Sequence, residues 1–200
     1  MKFEKGYIYH IYNQGNNRRK IFFKRDNYLF FLKKVNTHIL PFGDVLAWCL
    51  MPNHFHLMVF VRSIELSHKS IGVVSNNADA IRTFNQSIGI MLRSYSQAVN
   101  KQQNFSGKLI REKTKAECVN CIDRIEPSFI TKSGVSQINI IQPEKEYSQI
   151  CFNYIHDNPV KAKLVERKTD WEFSSAKDYS NLRDGKLINK ELAKEYKLIF

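Results

Sequence analysis

The stretch VLAWCLMPNHFHLMVFV, which runs from Val45 to Val61, organises the rest of the chain. Two apolar runs, Val45–Met51 and His54–Val61, flank a Pro-Asn pair, and this pattern predicts a β-hairpin. The second run is apolar at both odd and even positions, which is typical of a central strand whose two faces are both covered. Histidines interrupt that run at positions 54 and 56, and a strand points side chains two residues apart to the same face.

Two interpretations of His54 and His56 remain open from the hairpin alone. Histidines near a turn can be half-exposed side chains that simply satisfy their hydrogen bonds. Paired imidazoles at the end of a buried strand are also well suited to holding a divalent metal at the sheet surface. A second set of ligands elsewhere in the chain has to decide between them.

Length and composition limit the class of protein. A chain of 200 residues suggests a single domain, and a hydrophobic fraction of 43% excludes a disordered one. No apolar run approaches the roughly 20 residues of a membrane span. The start of the sequence, Met1–Gly6, lacks the apolar region of a signal peptide. We therefore expect a cytoplasmic protein without a membrane partner.

The charge is strongly basic. The chain has 31 Lys and Arg residues against 19 Asp and Glu residues, a formal net charge of +12. These cations are scattered along the chain, which favours a folded domain with a basic surface over a basic tail. Such a surface predicts a polyanionic partner, most simply nucleic acid. The alternative is a solvated basic surface with no partner.

The four cysteines give weaker signals. Cys118 and Cys121 have the CxxC spacing of half a zinc site, but the chain has no second pair at that spacing. Cys49 and Cys151 lie in apolar patterns and are expected to be core thiols. In the cytosol, we expect no disulfide bond.

The apolar periodicity predicts an α+β fold. The predicted elements are a strand at Tyr7–Tyr12, a helix from Asp26 to about Leu40, the hairpin, a helix from about Ala80 to Asn100, a strand at Lys115–Ile122, and a helix from Pro143 to about Asn158 that Pro159 ends. The order β-α-β-β-α-β is that of a ferredoxin-like domain with a central antiparallel sheet, and here a C-terminal helix follows it.

The segments between these elements complete the predicted organisation. Residues 62–79 are polar and are expected to form a loop. Residues 123–141 are expected to be an insertion or a mobile connection. A single domain would then span residues 1–180. The tail at 181–200 would contain a short surface helix, which could be a dimer contact.

Two basic segments are candidates for contact with nucleic acid. The loop after the first strand contains Asn16, Asn17, Arg18 and Arg19, and the segment before the last strand contains Lys108, Arg111, Lys113 and Lys115. Backbone amides and cations of such loops can bind phosphates. An ordinary polar turn and a solvated loop are the respective alternatives.

The C-terminal helix supplies the second half of a possible site. Tyr154 and Asn158 are four residues apart and therefore lie on one face of that helix. Alone, Tyr154 would be a core aromatic residue. Together with His54 and His56, an Asn158 amide oxygen would make three metal ligands beside a phenol. A phenol with a pKa near 10 needs help to attack, and a divalent ion can polarise a scissile phosphate.

The two strings that carry these residues resemble a known family. MPNHFHLMV, from Met51, contains the His-hydrophobic-His pattern of HUH endonucleases, and YIHDNPVKAKLV follows from Tyr154. Both resemble the single-tyrosine transposases, in particular the REP-associated tyrosine transposase branch. The resemblance covers most of residues 7–180, and it extends to the strings Tyr9-His10-Ile11, Gln14-Gly15-Asn16-Asn17-Arg18 and Trp171-Glu172-Phe173-Ser174-Ser175.

The resemblance implies a specific activity. By similarity to the family, His54 and His56 bind Mg²⁺ or Mn²⁺, and Asn158 completes the protein ligands. Tyr154 attacks a phosphodiester of single-stranded DNA, becomes linked to the 5′-phosphate and releases a 3′-hydroxyl, and a second 3′-hydroxyl can reverse the step. Members commonly recognise a DNA hairpin. In mobile relatives, a homodimer places each tyrosine in the other subunit's site, whereas the REP-associated branch need not do so. A nucleoid-associated protein of a prokaryotic cytoplasm is expected.

The chain also departs from the family pattern. Ile110 and Arg111 stand where most relatives have an aromatic residue and Gln, which alters the expected DNA contact, and residues 123–141 look longer than usual. His156 is expected to be structural or a DNA contact, and His10 to support the metal site. The competing interpretations are a catalytically inactive DNA-hairpin-binding protein on the same fold and a small zinc-binding domain built on the CxxC pair.

Overall fold

The computed structural model describes residues 1–67, 69, 80–121, 130–131, 134–135 and 143–200. The strands are Ile8–Gln14 (β1), Gly43–Met51 (β2), His54–Val61 (β3), Glu65–Ser67 (β4), Ile81–Thr83 (β5), Lys115–Cys118 (β6), Ile130–Thr131 (β7) and Gly134–Val135 (β8). The helices are Arg25–His38 (α1), Phe84–Gln103 (α2), Pro143–Lys161 (α3), Ala176–Tyr179 (α4) and Lys190–Glu195 (α5). Single 3₁₀ turns lie at Asn16–Arg18 and Lys168–Asp170.

The central sheet is antiparallel and has the strand order β2-β3-β1-β6. This is the order of a ferredoxin-like domain, so the predicted α+β fold is confirmed. The register places Tyr12 opposite His56 and His10 opposite Glu117. The pairs β4–β5 and β7–β8 form separate two-stranded ribbons. The predicted insertion at 123–141 lies outside the described residues, except for the β7 and β8 backbone.

Strand β3 is central and is covered on both faces, as its apolar pattern predicts. Phe55, Leu57, Val59 and Val61 pack in the core cluster that contains residues of α1 and α2. Met58, on the opposite face, packs in a second cluster with residues of α3. His54 and His56 share the Met58 face, since alternate residues of a strand point the same way. The sheet therefore presents both histidines to α3.

The start of α2 differs from the predicted one. Residues 81–83 form a strand with β4, and the helix begins at Phe84 because Thr83 caps it. The Thr83 hydroxyl accepts from the Gln86 amide, and the Gln86 side chain accepts from the Thr83 amide, which makes a capping box. The predicted loop at 62–79 contains β4, and most of its remaining residues lie outside those described.

Helix α3 does not end before Pro159, and this prediction was wrong. The helix continues to Lys161 with the proline inside it. Pro159 lies in the last turn, where it has no N–H to donate to the Ile155 carbonyl, and the helix continues for two residues beyond it. The Ala162 amide still donates to the Asn158 carbonyl, and Lys163 then adopts a left-handed φ of 56°.

The CxxC pair forms a disulfide bond between Cys118 and Cys121, which contradicts the expectation of none. The chain turns directly after β6, so the two Cα atoms lie 5.7 Å apart, within disulfide range. Zinc requires thiolates, and a disulfide offers none. Cys49 and Cys151 are free and buried, as expected of core thiols.

The tail packs against the body of the domain. Ala193 of α5 and Leu198 are buried in the cluster on the α3 side of the sheet. The Phe200 ring lies 5.2 Å from the His156 ring, and the Lys168 ammonium lies 3.9 Å from the Phe200 centroid. The dimer contact suggested for this tail stays a prediction. Among the described residues, no helix is both long and apolar enough to cross a membrane.

Candidate active site

A cleft of about 320 Å³ opens where β1 and β3 meet the face of α3. Its lining residues come from three strands, the segment before β6 and the helix: Tyr12, Asn13, Gln14, His54, His56, Arg111, Lys113, Lys115 and Tyr154. The cleft therefore brings together six of the predicted site residues, three from the two sequence strings (His54, His56 and Tyr154) and three from the second basic segment (Arg111, Lys113 and Lys115).

Strand β3 and helix α3 place three candidate ligand residues close together. The His54 and His56 rings have centroids 5.0 Å apart. Asn158, one helical turn after Tyr154, puts its Oδ1 at 3.5 Å from His54 Nε2. Its amide orientation is fixed because Nδ2 donates to the Tyr154 carbonyl oxygen at 3.0 Å. The oxygen of this amide is thus the atom that faces the histidine.

The hydrogen bonds determine where the proton of His54 lies. His54 Nδ1 is 2.6 Å from Asn53 Oδ1, an atom that can only accept, so Nδ1 carries the proton. The Asn53 amide is oriented by its Nδ2, which donates to the Arg18 carbonyl oxygen at 3.4 Å. In a neutral ring, Nε2 is then an acceptor. It faces Asn158 Oδ1, a second acceptor, with no proton between them.

His56 is the most buried member of the group, with 4% of its surface exposed. Its Nδ1 lies 2.8 Å from His10 Nε2. Its Nε2 is buried and has no hydrogen-bond partner within the part of the chain that the structure describes. Burial lowers the pKa of both His54 and His56, so both rings are neutral at neutral pH. Neutral imidazole is the form that binds metals.

These atoms fit a divalent cation. Two converging acceptors and one unpartnered buried nitrogen are costly without a partner, and one cation would satisfy all three. Imidazole nitrogen and amide oxygen are ligands that Mg²⁺ or Mn²⁺ can take when water or phosphate oxygens complete the shell. No group of three His, Cys, Asp or Glu residues suited to a metal occurs within the described ranges. A metal site here would need the Asn158 amide oxygen as its third protein ligand.

Tyr154 lies beside this cluster and is partly exposed. Its ring centroid is 5.4 Å from that of His56, at an interplanar angle of 81°. Burial raises the pKa of the Tyr154 phenol, and a hydrogen bond to the Asn158 side chain partly opposes that rise. The phenol is therefore protonated at neutral pH and becomes a nucleophile only where the electrophile is activated.

The basic wall of the cleft is held in place by β1. Arg111 faces the side-chain oxygen of Gln14, which accepts from its guanidinium. The Asn13 Nδ2 donates to the Arg111 carbonyl oxygen and to the Thr114 hydroxyl, both at 2.9 Å. Lys115 lies with its ammonium 5.8 Å from the Tyr12 ring. Cations at alternate positions, 111, 113 and 115, thus follow one edge of the cleft.

Comparison with known proteins supports the fold. No family model and no curated protein matches this sequence. Among solved structures, a REP-associated tyrosine transposase bound to a REP hairpin is similar at 15% identity, over 90% of this chain and 83% of that one, with a TM-score of 0.54. The chain shares the fold of that transposase. At this level of identity, the likeness concerns the fold alone, and the chemistry has to be argued from the cleft.

The first basic loop lies next to the cleft and does not line it. The Gly15 amide donates to the Asn53 carbonyl oxygen at 2.7 Å, which ties this loop to the hairpin turn. Asn17 and Arg18 adopt left-handed φ values of 51° and 58°. The Arg19 guanidinium lies 5.0 Å from the centroid of Phe105. Asn16 belongs to the same 3₁₀ turn, so all four predicted residues lie at this end of the sheet.

Two predicted residues lie elsewhere. Lys108 pairs with Glu112 at 2.7 Å and does not line the cleft. His156 is buried on another side of α3, where its Nε2 contacts the Ser175 hydroxyl at 2.7 Å. Burial lowers the pKa of His156 to about 3, so it is a neutral core residue. The structural interpretation of His156 therefore holds.

The sequence did not single out Asn53, Tyr12 or Glu117. Tyr12 lines the cleft and donates its hydroxyl to Glu117 Oε1 at 2.5 Å. The alternation of β1 contains a usable signal, because His10, Tyr12 and Gln14 must share one face. That face becomes the His54 and His56 face only once β1 is known to pair with β3. Asn53 gave no signal beyond its place in the hairpin turn.

Proposed function

We propose that this protein is a transposase-like, metal-dependent endonuclease that nicks and rejoins single-stranded DNA at hairpin-bearing sites, with Tyr154 as the nucleophile. The observation that carries the proposal is a cleft lined by the Tyr154 phenol and three cations, where His54 Nε2 faces the Asn158 Oδ1 acceptor and His56 Nε2 is buried without a hydrogen-bond partner among the described residues. In such a cleft, the phenol can be the nucleophile, a metal ion held beside it can activate the phosphate, and the cations can bind the strand.

Substrate binding is assigned to the basic edge. Arg111, Lys113 and Lys115 would hold consecutive phosphates of a strand that passes the cleft, and the loop at Asn16–Arg19 would extend the contact. His54, His56 and Asn158 would hold Mg²⁺ or Mn²⁺. When bound, such an ion polarises the scissile phosphate and stabilises the charge that develops on it.

The covalent step belongs to Tyr154. Its phenolic oxygen forms a bond to phosphorus while the bond from phosphorus to the 3′-oxygen breaks. The phenol loses its proton and the departing 3′-oxygen gains one, so a 3′-hydroxyl leaves and a 5′-phosphotyrosine remains. Attack by a 3′-hydroxyl from a second strand reverses the step and joins new ends. The phosphotyrosine bond conserves the energy of the broken one, and no nucleotide cofactor is needed.

The proposed hairpin substrate rests on the structural neighbour, a transposase bound to a REP hairpin. One observation favours a second candidate, a hairpin-binding protein without catalysis. Burial raises the pKa of Tyr154, which opposes its ionisation. The two candidates make the same prediction for DNA binding and opposite predictions for a covalent product.

A covalent-trapping assay separates them. Labelled single-stranded hairpin DNAs are incubated with the protein and Mg²⁺ or Mn²⁺, and protein–DNA adducts are resolved on a denaturing gel. We expect an adduct and a new 3′-hydroxyl end with wild type, and neither with Tyr154→Phe. Tyr196→Phe removes a phenol outside the cleft and should form the adduct as wild type does.

Metal dependence is tested in the same assay. His56→Ala should abolish cleavage while hairpin binding changes by only a few-fold, because binding depends mainly on the phosphates. Cleavage by His56→Ala would disprove the ligand assignment. Tight hairpin binding without an adduct from wild type, over a pool that covers many hairpins, would favour the binding protein without catalysis.

A further inference from the structure

His10 contacts His56 across two strands at a buried position. It lies on β1, is 2% exposed and stands opposite Met58 in the pairing with β3. Its Nε2 is 2.8 Å from His56 Nδ1, and the two ring centroids are 5.0 Å apart at an interplanar angle of 26°. Tyr12 stacks on the outer side of the group, with its centroid 4.7 Å from that of His10. The contact is therefore held in place from both strands.

Only one proton can lie between the two nitrogens. Whether His10 or His56 carries that proton determines whether His56 Nε2 has a free lone pair for a metal. If His10 Nε2 donated to His56 Nδ1, the single proton of a neutral His56 would lie on Nε2, and that nitrogen could not bind a metal. If His56 Nδ1 donates, His56 Nε2 keeps a free lone pair. The second arrangement is therefore the one that a ligand role requires, and it makes His10 the acceptor.

In either arrangement, His10 Nδ1 has no hydrogen-bond partner among the described residues, as an acceptor in the first and as a donor in the second. With its Nε2 accepting, the proton of a neutral His10 lies on Nδ1. That atom is buried and lacks a hydrogen-bond partner in the described part of the chain. A residue that only filled the core would be better replaced by an apolar side chain of similar size, since an unpartnered polar atom opposes folding. The position is explained if the hydrogen bond to His56 is what His10 is needed for.

We propose that His10 is a positioning residue that accepts the Nδ1 proton of His56 and so holds His56 Nε2 toward the metal. The inference rests on the metal site of the proposed function. Metal-binding histidines almost always donate their second N–H to a carboxylate, a backbone carbonyl or water. Here an imidazole takes that place, and it does so from the neighbouring strand. Asn53 Oδ1 plays the corresponding part for His54 Nδ1.

The test is Mn²⁺ affinity, measured by isothermal titration calorimetry on the full chain without DNA. His10→Gln keeps an acceptor near the position of Nε2 and should bind within a few-fold of wild type. His10→Phe keeps the bulk and removes the acceptor, and should bind about 10- to 100-fold more weakly. The pair His38→Gln and His38→Phe, at the far end of α1, is the matched control and should leave affinity unchanged. Thermal melting verifies that each variant is folded.

Each result bears on a different claim. Equal affinities for His10→Phe and wild type would overturn the inference while leaving the metal site intact, and so would equal weakening in a folded His10→Gln. Absence of Mn²⁺ binding by wild type would overturn the proposed metal site itself. A measurement without variants is the ¹⁵N spectrum of histidine-labelled protein saturated with Mg²⁺. A proton on His56 Nδ1 supports the inference, and a proton on His56 Nε2 overturns it.

Discussion

Asn53 and His10 each occupy the Nδ1 side of one histidine, at 2.6 Å from His54 and 2.8 Å from His56. Histidines near a turn are common, and their mere presence leaves the ligand and core interpretations open. What separates the two is the position of the protons. An acceptor at Nδ1 of His54 leaves its Nε2 as a lone pair facing the Asn158 oxygen, an arrangement that a core residue would avoid.

Removing the acceptor on His54 should therefore weaken metal binding. We predict that Asn53→Ala lowers Mn²⁺ affinity about 10- to 100-fold, because His54 loses the partner that fixes its tautomer and ring orientation. Asn53→Asp keeps an acceptor oxygen and should bind at least as tightly as wild type. Calorimetric titration checks both variants, and Asn36→Ala, exposed on α1, is the control. An Asn53→Ala protein with wild-type affinity would show that the turn amide does not orient the ligand.

At the scale of elements, the strongly patterned segments could be predicted from the sequence and the pairings between distant segments could not. The hairpin of β2 and β3 follows from local alternation and a turn, so its predicted bounds differ from the observed ones by two residues, at the start of β2. Helix α3 runs two residues past Pro159, although a proline inside a helix removes one hydrogen bond, and local sequence rules do not predict this continuation. The roles of His10 and Tyr12 depend on β1 pairing with β3, a contact between residues far apart in sequence.

Helix α3 faces the cleft with Asn158 and carries the buried His156 on another side, and this buried histidine predicts an effect of pH on stability. Burial lowers the pKa of His156 to about 3, whereas an unfolded histidine titrates near 6.5. Between these values the unfolded state binds more protons, so the free energy of unfolding falls as the pH falls. The loss per pH unit approaches about 1.4 kcal/mol for one such group. The Lys168 ammonium near the ring acts in the same direction.

His156→Gln removes this titration and can keep a hydrogen bond to the Ser175 hydroxyl. We predict that urea unfolding of the metal-free variant at pH 7, 6, 5 and 4 gives a shallower decline in stability than wild type does. His10 and the cleft histidines contribute equally to both proteins, so the difference in slope isolates His156. The absolute stability at pH 7 does not enter the comparison. Parallel declines would mean that His156 is protonated in the folded protein or is not buried.

For the whole molecule, the position of the charge matters more than its total. The net charge of +12 predicts a polyanionic partner and gives no location for it. The structure puts Arg111, Lys113 and Lys115 along the cleft, while other cations lie on α1 and β5, away from it. The likeness to a hairpin-bound transposase concerns the fold, so it does not locate a nucleic-acid surface on this chain. Salt dependence of binding can locate it.

A triple variant, Arg111→Ala with Lys113→Ala and Lys115→Ala, should bind hairpin-bearing single-stranded DNA more weakly and with less dependence on salt. Each phosphate neutralised on a single strand contributes about −0.7 to the slope of log affinity against log salt, so three lost contacts should make the slope shallower by about 2. Lys33→Ala with Lys34→Ala and Arg82→Ala removes the same charge outside the cleft and should keep the wild-type slope. Fluorescence anisotropy from about 50 to 300 mM salt measures both. If both triple variants reduced the salt dependence of the binding constant equally, binding would follow net charge. The strand would then not pass along the cleft beside Tyr154.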